Sequence, residues 1–238
     1  MISAQEILSE YKYKVELHAH TRPASGCSNF SPESAVRIYS SIGYDGLAVT
    51  NHFEKHLNGG SPEETTAKVS GWYSDYERAE KAGAALGLKT YLGAELRFFA
   101  NSNDYLFFGF PKEDLEEILH LISTTDLNGF RRAYHRDGTL LIWAHPMRGG
   151  ILDVELDLVD AIEVYNMHPY HNGSQGSAAV RFGGLGKPLT CGSDFHDPGA
   201  QGTTAMNFRR LPENSSDLAE LIRSGDYVMS VGKTVILA

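Results

Sequence analysis

Cysteine is scarce in this sequence, and long apolar runs are absent. Only Cys27 and Cys191 occur among 238 residues, too few for the disulfide framework of a small secreted protein. The opening segment, Met1–Lys14, is polar and charged where a signal peptide would be apolar. No apolar run approaches the roughly 20 residues that a membrane-spanning helix needs. We therefore expect a cytoplasmic protein with no membrane partner.

Positive charge is also in short supply. The chain carries 21 Lys and Arg against 30 Asp and Glu, a net charge of −9. Binding along an extended nucleic-acid duplex depends on basic side chains that displace counterions, so the charge balance disfavours that partner. A small phosphorylated substrate held by metal ions is compatible with it. Nothing in the sequence indicates an oligomeric state.

No linker, repeat or low-complexity stretch divides the chain. Hydrophobic residues make up 42% and charged residues 21%, as in an ordinary globular protein. This composition excludes a disordered, collagenous or coiled-coil chain. We expect one domain over residues 1–238, long enough to bury a sizeable core.

Short apolar runs alternate with longer helical patterns, which favours βαβ units and a largely parallel sheet. Strands are predicted at Val15–Thr21, Gly46–His52, Lys89–Ala100, Asp104–Phe110, Thr139–His145, Ala161–Asn166, Lys187–His196, Thr203–Phe208 and Tyr227–Leu237. Helices are predicted at about 31–42, 62–87, 113–137 and 215–224. Asn101-Ser102-Asn103 reads as a hairpin turn between two of the strands.

Polar residues interrupt the predicted strands mainly at their C-terminal ends. These residues are His18, His20, His52, Glu95, His145, Asp194 and His196. In a parallel β/α barrel the C-terminal ends of all strands open on one face, so the seven side chains would converge there. Histidine and carboxylate together are the ligand set of a Zn, Fe or Mn site.

In two pairs of these residues, the members are two positions apart in the sequence. Residues two apart in a strand point to the same side, so His18 with His20, and Asp194 with His196, can each offer two ligands to one site. A lone histidine at a strand end is more often a hydrogen-bonded core residue. For seven residues on five strands, one polynuclear metal site is the simpler interpretation.

At these positions the sequence resembles the polymerase and histidinol phosphatase (PHP) family of metal-dependent phosphoesterases. The matching motifs, in family order, are His18-Ala19-His20-Thr21, Thr50-Asn51-His52, Gly93-Ala94-Glu95, Ala144-His145-Pro146 and Gly192-Ser193-Asp194-Phe195-His196. The resemblance covers nearly the whole chain. It implies an α/β fold, a distorted seven-stranded, TIM-like (β/α) barrel, that holds two or three divalent metal ions, Zn, Mn or Fe.

The resemblance also implies a role for each ligand. His18, His20, Glu95 and Asp194 would bind one metal; Glu95 would bridge to a second metal held by His145; His52 and His196 would serve a third. Three positions depart from the family pattern. Asn51 replaces an acid, and Pro111 stands where a histidine is common. The acid or histidine that usually follows the first motif is missing; Cys27 in this segment is either a substitute ligand or a small residue packed in the loop.

The implied reaction is hydrolysis of a small phosphate ester, possibly histidinol phosphate or a nucleotide, by water that the metals activate. Glu95 and Asp194 are the candidate catalytic residues, with Arg148 as a phosphate clamp that follows His145 closely. Arg22 and His168 are further candidates for substrate binding, and a surface role is the alternative for each. Two other function classes stay open: an amidohydrolase acting on an amide or lactone, and a catalytically idle metal-binding domain.

Overall fold

One curled sheet of eleven strands organises residues 3–237, the part of the chain that the structure, a computed structural model, describes. The strands are Tyr13–Glu16 (β1), Gly46–Val49 (β2), His52–Phe53 (β3), Lys89–Arg97 (β4), Asp104–Phe108 (β5), Leu140–Trp143 (β6), Ala161–Asn166 (β7), Leu189–Gly192 (β8), Thr204–Phe208 (β9), Tyr227–Val231 (β10) and Thr234–Leu237 (β11). Their order is β11-β10-β9-β1-β2-β4-β5-β6-β7-β8, with β3 beside β4. The protein is α/β, as predicted.

The predicted seven-stranded, TIM-like barrel is wrong. Such a barrel is parallel throughout and closes on itself. Here β5 is antiparallel to both β4 and β6, because the turn at Asn101–Asn103 reverses the chain. Strands β9, β10 and β11 form an antiparallel meander that pairs with β1 and occupies the edge where a closing parallel strand would lie. The result is a mixed half-barrel.

The chain segments that follow β1 and β8 nevertheless meet. A single parallel bridge joins Ala19 to Phe195. The N–H of Phe195 donates to the carbonyl of His18, and the N–H of His20 donates to the carbonyl of Phe195, both at 3.0 Å. The ends of these two strands therefore lie side by side, which brings the first and last sequence motifs together.

Seven helices accompany the sheet: Ala4–Glu10 (α1), Pro32–Ser41 (α2), Pro62–Leu86 (α3), Leu115–Thr124 (α4), Leu127–Ala133 (α5), Gln175–Phe182 (α6) and Ser215–Ser224 (α7), all within the described residues. The helix predicted at about 31–42 is confirmed as α2, and the side chain of Ser31 caps it by accepting the N–H of Ser34. The single helix predicted over 113–137 is two, because Thr125 is extended and Asp126 caps α5. Helices α1 and α6 were not predicted. No helix in residues 3–237 has both the length and the apolar character that crossing a bilayer requires.

Several strands end earlier than the sequence predicts. The strand predicted at Val15–Thr21 stops at Glu16, and the one predicted at Lys187–His196 stops at Gly192. The proposed ligands at both ends therefore come after the last residue of each strand. They lie at the rim of the sheet, where the bridge between Ala19 and Phe195 joins the two segments.

Candidate metal centre

Four buried side chains from distant parts of the sequence form what we call the first group: His18, His20, Glu95 and Asp194. Nε2 of His18 lies 3.1 Å from Nε2 of His20, 3.2 Å from Oε1 of Glu95 and 3.4 Å from Oδ1 of Asp194. Four ligands around a tetrahedral zinc ion, at about 2.0–2.1 Å from it, lie about 3.3–3.4 Å from one another. The spacing of these donors therefore fits one divalent ion.

The second group is Glu95, Asp104 and His145. Nε2 of His145 lies 3.1 Å from Oε1 of Glu95 and 3.7 Å from Oδ2 of Asp104. Two contacts of 2.7 Å between Arg97 and Asp104 hold that carboxylate in place. Sequence reasoning missed Asp104 because it considered only the C-terminal ends of strands, and antiparallel β5 presents its first residue to the same rim. Pro111 lies beyond the other end of β5.

The third group is His20, His52 and His196, whose ligand atoms lie within 4.8 Å of one another. Nδ1 of His52 is 2.8 Å from Oε2 of Glu95, yet the two atoms are not aligned for a hydrogen bond, and both lack a partner. Cys27 lines the same cavity as His52 and His196. Burial opposes the ionisation of its thiol, but the imidazoles of His196 and His52 lower the pKa of Cys27 to about 6.

Two fully buried acids, Glu163 and Glu16, accept hydrogen bonds from residues of the groups or from their neighbours. Oε1 of Glu163 lies 2.9 Å from Nδ1 of His18, while its Oε2 accepts the N–H of His145 at 3.0 Å. Oε1 of Glu16 accepts the backbone N–H groups of His18 and Ser193 at 3.0 and 2.9 Å. Burial raises the pKa of Glu16 to about 7. Sequence reasoning did not single out either acid, although a lone acid within an apolar strand was the signal that could have found both.

The local backbone explains why the motifs contain particular residues. A Cβ on Gly192 would lie 2.5 Å from Cβ of His18 and 2.4 Å from Oε1 of Glu163, so only glycine fits beside them. His145 and Asp194 have φ of 33° and 51°, in the left-handed region that non-glycine residues seldom adopt. Asn51, one of the three departures from the family pattern, forms two hydrogen bonds with Thr21. Its side-chain oxygen accepts the backbone N–H of Thr21, and its amide nitrogen donates to the hydroxyl of Thr21.

The charges of the groups favour a cation. Burial alone would raise the pKa of Glu95, but the imidazoles of His52 and His18 hold it well below its usual range. Burial, together with the imidazoles of His196 and His52, holds the pKa of His20 well below its usual value. His20 is therefore the neutral form that binds metal, and Glu95 is the anionic form. Burial opposes the protonation of His18, but the charges of Asp194, Glu163 and Glu95 raise its pKa well above the usual value. These buried carboxylates therefore attract positive charge, which a divalent metal ion would supply.

A cavity of about 460 Å³ opens above the three groups. Its lining residues are Cys27, His52, Glu95, Arg97, Asp104, Arg148, His168, Tyr170, His171, Asp194, His196 and Asp197. Nη2 of Arg148 lies 2.5 Å from Oδ2 of Asp194, and its buried Nε has no partner. Burial, with the imidazoles of His196 and His171, lowers the pKa of His168 to about 4. Arg22 is exposed and does not line the cavity.

The structure thus brings together all seven residues that the sequence singles out as ligands, and it places Arg148 and His168 beside them. Whether each one binds metal or substrate stays a prediction. The donors of each group are spaced as the ligands of a shared metal ion would be.

Comparison with solved structures bears on the fold. A two-domain protein from Bacteroides vulgatus, described as containing a predicted PHP-like metal-dependent phosphoesterase, matches with a TM-score of 0.61 and 15% sequence identity, over 94% of this chain and 66% of that one. At this identity the similarity shows a shared fold. The chain spans just under two thirds of that protein's length.

Two further structures match less well. One is an inferred metal-dependent phosphoesterase from Bifidobacterium adolescentis, with a TM-score of 0.49 and 14% identity over 87% of this chain and 95% of that one. The other is an amidohydrolase from Chromobacterium violaceum with bound sulfate, with a TM-score of 0.46 and 14% identity over 78% and 88%. No protein-family model matches the chain, and no curated protein sequence matches it.

Proposed function

We propose that this chain is a PHP-type hydrolase that uses two or three divalent metal ions, Zn, Mn or Fe, to hydrolyse a small phosphomonoester. The observation that carries the proposal is the first group, whose four buried donors lie 3.1–3.5 Å apart in the pairs that contact. When bound, such ions would neutralise the phosphoryl oxygens and lower the pKa of a coordinated water.

The residues around the ions would divide the remaining work. Glu95 faces all three groups, so its two oxygens can bridge two ions. Asp194 would bind the first ion, and it is the candidate acceptor of a proton from the attacking water. Arg148 would hold a phosphoryl oxygen through its Nε, which has no hydrogen-bond partner. His168, neutral near pH 7, would accept or donate a hydrogen bond to the substrate.

The size of the cavity supports a compact substrate, and metal ions bound at the three groups would make the cavity favour an anion. At about 460 Å³ the cavity suits a small molecule, and Arg97 and Arg148 are its two arginines. The net charge of −9 elsewhere disfavours a long polyanion such as a nucleic-acid duplex. We also propose that residues 1–238 form one domain and that the protein is cytoplasmic; residues 1, 2 and 238 lie outside the described part.

The test is a substrate panel of phosphomonoesters, phosphodiesters, amides and lactones, assayed with Mn, Zn and Fe, with and without a chelator. We expect phosphate release from a small monoester that the chelator abolishes and added metal restores. Glu95→Gln should abolish this activity, because it removes the shared charge while keeping the side-chain shape. Glu117→Gln, an exposed change on α4, is the matched control and should retain full activity.

Three results would contradict the proposal. Activity that survives the chelator would exclude dependence on a removable metal. Turnover of amides or lactones without any phosphate ester would assign the chain to the amidohydrolases; against that class, no lysine lines the cavity within residues 3–237 to bridge two metals as a modified side chain. Tight metal binding without turnover of any substrate would indicate an idle domain.

A further inference from the structure

Asn166 is the last residue of β7, and it is buried, with 2% of its surface exposed. Its Oδ1 accepts a hydrogen bond from Nη2 of Arg148 at 3.2 Å and another from the backbone N–H of His168 at 3.3 Å. Its Nδ2 donates to Oε2 of Glu163 at 2.9 Å and to Oδ2 of Asp194 at 3.2 Å. One amide thus joins the candidates for substrate binding to the acids of the metal centre.

The four contacts use the whole hydrogen-bonding capacity of this side chain. The oxygen of an asparagine accepts two hydrogen bonds, and its nitrogen donates two. An aspartate here would place a third carboxylate against Glu163 and Asp194, and an apolar residue would make none of the four contacts. Among side chains of this length, only an amide can accept from a guanidinium on one side and donate to two acids on the other.

An irregularity of β7 makes these contacts possible. Successive residues of a regular strand face opposite sides, so Glu163 and Asn166, three apart, would point away from each other. The register between β7 and β8 shifts after Glu163, because Glu163 pairs with Thr190 and Tyr165 pairs with Cys191. Such a bulge adds one residue to the strand and re-aims the side chains beyond it. The two side chains therefore meet on one side of β7.

Arg148 is the arginine of the cavity whose orientation depends on Asn166. The other arginine, Arg97, is held by Asp104 through two contacts of 2.7 Å. Nη2 of Arg148 contacts Asn166 at 3.2 Å and Asp194 at 2.5 Å, whereas its buried Nε has no hydrogen-bond partner among residues 3–237. Because the guanidinium is rigid and planar, the two contacts of Nη2 also set the direction of the Nε–H bond.

We propose that Asn166 is a positioning residue that fixes Arg148 relative to Asp194, so that one phosphate can contact both Arg148 and a metal ion that Asp194 holds. The inference rests on the proposed function, and it assigns the residue that couples phosphate binding to the metal centre. Asn166 acts through its neighbours. Its effect on phosphate binding must therefore disappear when Arg148 is removed, while its effect on metal binding must remain.

The test measures binding of inorganic phosphate to the zinc-saturated protein by calorimetry, in the wild type, Asn166→Leu, Arg148→Ala and the double variant. Leucine has the branching of asparagine without its polar atoms, so it keeps the shape and removes the four contacts. Asn166→Leu should weaken phosphate binding by about tenfold, the effect of losing one hydrogen bond to a charged group. In the Arg148→Ala background the same substitution should change phosphate affinity by less than about twofold, because its partner is gone.

Zinc affinity is the second readout, measured by competition with a chelating dye. Asn166→Leu removes a contact to Asp194, which belongs to the first group, and one to Glu163, which contacts His18 of that group. Zinc affinity should therefore fall by about tenfold, the lower end of the usual loss when a partner that orients a ligand is removed. Because neither contact involves Arg148, the loss should be the same in Arg148→Ala.

Asn207→Leu is the matched control. Asn207 is also buried, and its amide nitrogen donates to the carbonyl of Val228 at 3.1 Å and to the hydroxyl of Ser230 at 2.8 Å, both on β10. This variant should lower the free energy of unfolding in chemical denaturation without changing either affinity. Asn166→Ala repeats the measurements if Asn166→Leu does not fold.

The outcomes separate this inference from the proposed function. If Asn166→Leu binds phosphate as well as the wild type, if its effect is unchanged in Arg148→Ala, or if neither variant of Asn166 folds, Asn166 is not a positioning residue and the hydrolase proposal stands. If the wild type binds no zinc, or binds no phosphate when saturated with zinc, the inference and the hydrolase proposal both fail.

Discussion

Nδ1 of His18 lies 2.9 Å from Oε1 of Glu163, and both side chains are fully buried. A carboxylate at this distance fixes the proton on Nδ1, so Nε2 presents its lone pair to the first group. The second oxygen of Glu163 accepts the backbone N–H of His145, which belongs to the second group. One buried acid thus orients parts of two groups.

Glu163→Ala should weaken metal binding at the first group by about 10–100-fold, the usual effect of removing a partner that orients a ligand. The readout is competition against a chelating dye in metal-free buffer. Asp153→Ala is the control, since this acid is exposed and pairs only with Arg181 among the described residues. An unchanged affinity in Glu163→Ala would show that His18 needs no orienting partner.

Glu95→Gln should reduce the number of bound metal ions by more than one, because the same carboxylate faces His18, His52 and His145. Metal content is counted by elemental analysis, and circular dichroism checks that the sheet remains folded. Loss of one ion or none would mean that Glu95 is not a bridge.

Asp104→Asn should remove one ion, that of the second group, and leave the rest. Burial, together with the charge of Glu95, raises the pKa of Asp104 even though Arg97 pairs with it. The carboxylate is therefore costly to keep ionised, and a bound cation would offset this cost. Elemental analysis compares the metal content of Asp104→Asn with that of the control Glu117→Gln. Full metal content in Asp104→Asn would show that Asp104 forms the ion pair with Arg97 and binds no metal.

Arg148→Ala should raise KM for the phosphate substrate by about 10–100-fold, the loss expected for charged hydrogen bonds worth about 1.5–3 kcal/mol. Because Arg148 also contacts Asp194 at 2.5 Å, metal content is measured in the same samples. A raised KM with full metal content indicates substrate binding, whereas loss of metal indicates that Arg148 positions Asp194. Arg181→Ala, at an exposed arginine, is the control.

Gly192→Ala should lower the free energy of unfolding by about 1–3 kcal/mol, the usual cost of forcing an extra methyl group into a packed interior. The added Cβ would press on Cβ of His18 and on Glu163, so metal affinity should fall too. Gly149→Ala is the control, because nothing lies within 4 Å of its added Cβ. Chemical denaturation of both variants measures the difference.

The seven candidate ligands could be found from the sequence because each is a polar residue within or just after an apolar run. Residue type and position along the strand were enough for that step. Asp104 could not be identified as a candidate ligand in this way, because that requires knowing that β5 runs antiparallel to β4. The sequence predicts the turn at Asn101–Asn103, but a turn alone does not determine which end of β5 faces the rim.

The barrel was mispredicted for a related reason. Alternating strands and helices indicate the class of fold, but they do not say which strands become neighbours. The last strands, β9 to β11, could extend a parallel sheet or form a meander, and the antiparallel pairing of β9 with β1 decides between the two. That pairing depends on contacts between residues some 190 positions apart in the register, which local patterns do not encode.

The left-handed backbone at His145 and Asp194 has a consequence for how this protein can change over time. A non-glycine residue in that conformation costs about 1–3 kcal/mol, so glycine or asparagine would suit the fold better at either position. Mutations selected only for stability of the fold would therefore replace these two residues and remove two ligands from the centre. The histidine and the aspartate at these positions are therefore explained by the chemistry of the centre rather than by the preference of the backbone.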